Sequence, residues 1–92
     1  MLEFEWDDTK ALINEKKHGI SFIEAMSIFS DPLELTMLDP EHSKEEFRFL
    51  SIGRSAQGHL LVVSYTERQP AAIRLISARP ATRHERKQYE QA

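Results

Sequence analysis

Ninety-two residues, 29% charged and 40% hydrophobic, describe a single soluble domain, 1–92, able to bury about 60–65% of its unfolded surface. There are no cysteines, which excludes disulfides, thiolate metal sites and cysteine nucleophiles and suits a reducing cytoplasm. The net charge of −3 is unevenly divided: residues 1–46 carry four Lys/Arg against twelve Asp/Glu, a net of −8, and residues 47–92 carry eight against three, a net of +5.

Phe4 and Trp6 alternate with Glu3 and Glu5, so the chain is expected to open with a short strand buried on one face. Asp7 or Asp8 then caps a helix running through Ala11, Leu12 and Ile13 to about Lys17. Lys16, Lys17 and His18 set cations against its C-terminal dipole, and Gly19 supplies the left-handed turn that stops it. Ser21 and Glu24 form a capping box for a second helix. Phe22, Ala25, Met26 and Phe29 are its apolar stripe, and Asp31-Pro32 ends it.

Strands follow. Leu33, Leu35 and Met37 alternate with Glu34 and Thr36, and Phe47, Phe49 and Ser51 with Arg48, Leu50 and Ile52. Between them DPEHSKEE is an acidic, polar loop; Ser43 with Glu46 matches a capping box, but strand alternation follows, so no helix is expected there. Gly53 to Gly58 is a hairpin connection, His59 to Thr66 a nearly all-apolar central strand, and Gln69-Pro70 a turn into a strand over Ala72 to Ala78 that Pro80 closes. Thr82 with Glu85 opens a last helix to about Gln91. The order β-α-α-β-β-β-β-α predicts an α+β domain: an antiparallel sheet of about four to five strands, two N-terminal helices and one C-terminal helix, the helices grouped on one side. The longest apolar run, Leu60-Leu61-Val62-Val63, is far short of the ~20 residues that span a bilayer. The acidic start, MLEFEWDD, lacks the apolar stretch of a signal peptide. No membrane association is expected.

The chemistry-bearing segment is Tyr65 to Tyr89, which holds Arg68, Arg74, Arg79, Arg83, Arg86 and Lys87 against only Glu67 and Glu85. Arginine in preference to lysine suits planar, bidentate contact with phosphate or carboxylate. The same residues also fit a solvated helix face, with Glu67 paired to Arg68 or Arg74. Arg68 and Arg79 fall at strand ends, and Arg83 lies in the first turn of a helix whose free N–H groups favour an anion. Tyr89 lies two turns along. Together they outline a pocket with guanidinium donors, one carboxylate and one phenol. His59 begins the central strand beside a glycine turn and is a catalytic candidate, whereas His18 reads as a helix-terminal cation and His42 as an exposed loop residue. There is no HExxH or i, i+4 histidine pair, and no GxSxG, Walker A or GxGxxG, so no metal, cofactor, serine-hydrolase or nucleotide site is expected.

The segments FEWD, KHGISF.EA, IGRS, YTER, IR.ISAR.AT and the closing ER..YE run in order along nearly the whole chain and resemble the BrnT toxins. Those are the partners of BrnA antitoxins in bacterial type II toxin–antitoxin modules. The resemblance implies a RelE-like fold, in keeping with the element order, and a metal-independent endoribonuclease that arrests translation without a cofactor. It also implies a BrnA-type antitoxin, two toxins and two antitoxins to a complex, with operator DNA touched only through the antitoxin. By location and residue type it points to Glu67, Arg79, Arg83, His59 and Tyr89 as catalytic residues. Arg68, Arg74, Arg86 and Lys87 are then the RNA contacts.

The chemistry so implied is attack by the RNA's own 2′-hydroxyl. Glu67, or second to it His59, takes the proton; Arg79 and Arg83 stabilise the developing charge; and Tyr89 or His59 protonates the leaving oxygen. Many RelE-like toxins are strongly basic and this chain is not, so RNA contact must be concentrated in its basic half. Two other readings remain open at this point. One is a non-catalytic module of the same fold that acts by protein contact, as gyrase-inhibiting relatives do. The other is a protein that serves only as partner in a repressor complex.

Overall fold

The computed structural model describes residues 2–42, 46–68 and 71–91. Its elements are β1 (Glu3–Glu5), α1 (Asp8–His18), α2 (Phe22–Met26), β2 (Leu35–Leu38), β3 (Arg48–Arg54), β4 (Leu60–Arg68), β5 (Ala72–Pro80) and α3 (Arg83–Gln91). Short 3₁₀ segments cover Ser27–Ser30 and Pro40–His42. The turn expected at Gln69-Pro70 and the discounted cap at Ser43 lie outside the described residues.

The helix ends follow local chemistry. The Asp7 side chain accepts from the Lys10 amide at 3.0 Å, and Gly19, at φ 73°, donates its N–H to the Glu15 carbonyl at 2.7 Å. Ser21 caps α2 by accepting from the Glu24 amide at 3.0 Å. The reciprocal half of that box is missing, because the Glu24 carboxylate is turned to Ser55 and His59 instead. α2 is also shorter than its apolar stripe suggests and tightens into 3₁₀ geometry from Ser27, where Ser27 Oγ donates to the Glu24 carbonyl at 2.6 Å. At α3 the box is complete: the Thr82 amide donates to Glu85 Oε1 at 2.8 Å and the Glu85 amide to Thr82 Oγ1 at 3.2 Å.

The five strands form one sheet in the order β1-β5-β4-β3-β2. β2 through β5 pair antiparallel, but β1 lies parallel to β5, with Phe4 opposite Ile73, so the sheet is mixed where an antiparallel one was expected. The run of successive strands leaves the outer edge of β5 open, and β1 fills it. β3 runs on to Arg54, leaving a tight turn in which the Ser55 amide donates to the His59 carbonyl at 2.8 Å.

The helices do not share one side. Leu61, Val63 and Tyr65 pack with Ile73, Leu75 and Ala78 against Ile20, Phe22, Ala25 and Ile28, under α1 and α2. Leu60 and Val62 face the other way, with Ile52 and with Tyr89 of α3. Both faces of the central strand are therefore covered at this end, which is why its sequence is apolar without alternation. Asn14 ties α1 to the sheet, its Nδ2 donating to the carbonyls of Ile20 and Ala78 at 3.1 and 2.9 Å and its Oδ1 accepting from the Ala78 amide at 3.1 Å. Gly53 is required by close approach: a Cβ there would lie 2.9 Å from Ile28 Cβ. Among the described residues no helix is long and apolar enough to cross a membrane.

Candidate functional site

α3 is only nine residues long and covers one end of its sheet face, over Leu60, Val62 and Ile52. Alternation along β3 and β4 brings Arg48, Leu50, Ser64 and Thr66 onto the remainder of that face. On β5 the register slips between Ser64 and Tyr65, which pair with Ser77 and Leu75, so Ile76 is an extra residue. A bulge of this kind twists the strand and re-aims its neighbours.

Two adjoining clefts lie along this uncovered half. The larger, of about 360 Å³, is lined by Asp39, His42, Arg48, Ser64, Ser77 and Arg79 among others. The smaller, of about 150 Å³, is lined by Lys10, Arg48, Thr66, Arg68 and Arg74 together with the acids Asp7 and Glu46. Arg48 and Ile76 belong to both, so the clefts form one trough across β3, β4 and β5. Arg68 and Arg74 are loosely paired, Arg68 at 3.6 Å to Glu46 with its Nε donating to Thr66 Oγ1 at 3.4 Å, and Arg74 at 3.9 Å to Glu5.

Arg79 is held differently. Its Nη1 and Nη2 donate to Glu85 Oε1 and Oε2 at 2.7 and 2.8 Å, a bidentate fork joining the end of β5 to the first turn of α3. The pair keeps the guanidinium protonated and holds the Glu85 carboxyl down at about 2, with the Thr82 amide assisting. Glu85 thereby fixes the plane of an arginine that lines the larger cleft.

The other residues expected in the site are dispersed. Glu67 has the same strand parity as Tyr65 and Val63, which puts it on the opposite sheet face from Arg79, exposed. Tyr89 turns into the core, 9% exposed, and donates to Asp31 Oδ2 at 2.6 Å. That carboxylate bond, with burial, raises the phenol above its ordinary range. Arg83, Arg86 and Lys87 are exposed on α3. His59 stands at the hairpin, its Nδ1 2.6 Å from Glu24 Oε2, which also accepts from Ser55 Oγ at 2.7 Å. The expected pocket of guanidinium, carboxylate and phenol therefore does not assemble; arginines from β3, β4 and β5 gather without Glu67 or Tyr89.

The family model described as the ribonuclease toxin BrnT of a type II toxin–antitoxin system matches residues 6–85. The chain belongs to the BrnT family. The crystal structure of the Brucella abortus ribonuclease toxin BrnT matches this fold with a TM-score of 0.66 at 24% identity, over 90% of this chain and 100% of that one. No functionally curated protein gives a significant sequence match. Membership of a type II toxin family implies an antitoxin partner.

Within this BrnT fold, sequence reading missed Arg48, Lys10, Asp39 and His42 as site residues. Arg48 carried a usable signal, since alternation with Phe47 and Phe49 already placed it on the face of Leu50 and Ile52. Lys10 and His42 carried none; they join the trough only because α1 and the 3₁₀ turn before β3 fold against it. Among the described residues no cluster of three or more His, Asp or Glu is arranged to hold a metal ion.

Proposed function

We propose that this chain is a metal-independent endoribonuclease that cleaves RNA by attack of the 2′-hydroxyl on the adjacent phosphate. The observation that carries the reading is the trough: Lys10, Arg48, Arg68, Arg74 and Arg79 converge on the uncovered half of one sheet face in a protein whose net charge is −3. Asp7, Asp39, Glu41 and Glu46 line the same trough, and guanidinium groups drawn from three strands suit a single strand tracked by its backbone. Preorganised guanidinium groups suit the charge that builds on a pentacoordinate phosphorus, and the bidentate fork to Glu85 fixes the plane of Arg79. Arg68 and Arg74 hold the flanking phosphates. This division of labour needs no metal ion, and cleavage is expected to persist in EDTA.

The consequence in the cell is inhibited translation, relieved when a BrnA-type antitoxin binds, in a complex of two toxins and two antitoxins that reaches operator DNA through the antitoxin. The test is induction of the chain alone in bacteria, with and without its neighbouring gene, while translation is followed and RNA ends are mapped. Arrest with new 5′-hydroxyl RNA ends, relieved by the neighbour, is the expected result. Induction of the DNA-damage response with intact RNA would instead identify a gyrase-type binding module, and harmless expression a protein that serves only in the repressor complex.

A further inference from the structure

Two histidines in this fold are held by carboxylates through Nδ1. His59 lies against Glu24 at the β3–β4 turn and lines neither half of the trough. His42 is different: its Nδ1 is 2.8 Å from Asp39 Oδ2, and both residues line the larger cleft with Arg48 and Arg79. The Asp39 side chain is 15% exposed and the His42 ring 57%, so a recessed carboxylate holds an imidazole that solvent and substrate can reach. An ionised carboxylate only accepts, so the proton of the neutral ring sits on Nδ1 and the lone pair on Nε2. The His42 amide also donates to the Asp39 carbonyl at 3.4 Å, which anchors the backbone of the same turn.

We infer that His42 is the general base of the RNA cleavage proposed above, with Asp39 as its positioning residue; this rests on that reading of the function. His42 Nε2 takes the proton of the 2′-hydroxyl, the 2′-oxygen bonds to phosphorus, and the bond from phosphorus to the 5′-oxygen breaks. Arg48 and Arg79 face the charge on the phosphorane. The 5′-oxygen leaves with a proton from solvent, and the imidazolium returns its own proton to solvent, giving a 2′,3′-cyclic phosphate and a 5′-hydroxyl. A carboxylate that orients an imidazole and fixes its tautomer is one arrangement by which a histidine base is held for proton abstraction. Glu67, on the opposite face, cannot reach the same phosphate.

The experiment measures single-turnover cleavage of a fluorescent RNA by the purified wild-type chain, His42→Gly, Asp39→Asn and Glu67→Gln, each checked for an unchanged melting temperature. His42→Gly is expected to lose about 10²–10⁴-fold in rate, the usual worth of a general base, with RNA affinity within about threefold. Free imidazole is expected to restore part of that loss, which a merely structural histidine would not permit. Asp39→Asn is expected to lower the rate at saturating RNA by about tenfold with unchanged half-saturation, and Glu67→Gln to change neither. Wild-type cleavage matched within threefold by His42→Gly overturns the inference and leaves the ribonuclease standing, as does a loss that imidazole does not rescue. A wild-type chain that leaves RNA intact overturns the functional reading itself, and the inference with it.

Discussion

At the scale of single residues the Arg79–Glu85 pair is a bidentate charge contact at the edge of the trough. The Glu85 carboxyl lies at about 2 in the folded chain against 4.5 for a free carboxyl, so its stabilisation is fully present above about pH 4.5 and lost as pH falls toward 2. Glu85→Gln keeps a capping acceptor for Thr82 but removes this dependence. Urea unfolding at neutral pH should show a loss of about 1 kcal/mol, solvent screening having reduced the pair's worth. At pH 3 the difference should have fallen to roughly 40% of its neutral value, and near pH 2 wild type and variant should be nearly equal. Arg79→Ala should abolish growth arrest while the protein still folds and binds its antitoxin; arrest at normal expression would remove Arg79 from the reaction.

At the scale of elements, two side chains join helices to the sheet. Tyr89 anchors α3 by seating its ring among Ile52, Leu60 and Val62 and donating to Asp31, a residue that also accepts from the Arg54 amide at 2.8 Å. Burial opposes ionisation of Asp31, but the bonds from Tyr89, Arg54 and Leu33 outweigh it and hold the carboxylate below its ordinary range. A phenol so engaged donates its O–H to Asp31 and lines neither cleft. Tyr89→Phe should therefore keep wild-type cleavage and lose about 1 kcal/mol of stability, read as a modest fall in melting temperature. Asn14→Ala should cost more, about 2–3 kcal/mol, because it strands the buried amide and carbonyl of Ala78. The element order, the hairpin, the helix stop at Gly19 and the Thr82 cap were all legible, since each is written in residues a few positions apart. The parallel seat of β1 and the opposite placement of α3 were not, because both depend on which edge and which face the rest of the sheet leaves open.

At the scale of the whole molecule the decisive property is segregation of charge rather than its sum. With a net charge of −3, RNA affinity must come from the trough, and it should weaken steeply with salt. Removing two phosphate contacts by Arg68→Ala with Arg74→Ala should flatten the logarithmic salt dependence of binding by about 1.4, the single-strand value for two charges. The equivalent pair on α3, Arg83→Ala with Arg86→Ala, should change the slope little, since neither residue lines the clefts. The sequence placed arginines in the basic half but could not sort those that β3, β4 and β5 bring to one face from those that α3 turns to solvent. It could not reveal His42 either, whose role comes from the turn that sets it beside Asp39.

The central claim is that RNA supplies its own nucleophile to a phosphate held in this trough. The most direct measurement is cleavage of matched oligonucleotides in EDTA, one all RNA, one with a single 2′-deoxy residue at the mapped cut, and one all DNA. Cutting of the first alone, with a 2′,3′-cyclic phosphate on one product and a 5′-hydroxyl on the other, is the expected result. Equal cutting of the deoxy-substituted strand or of DNA would contradict it.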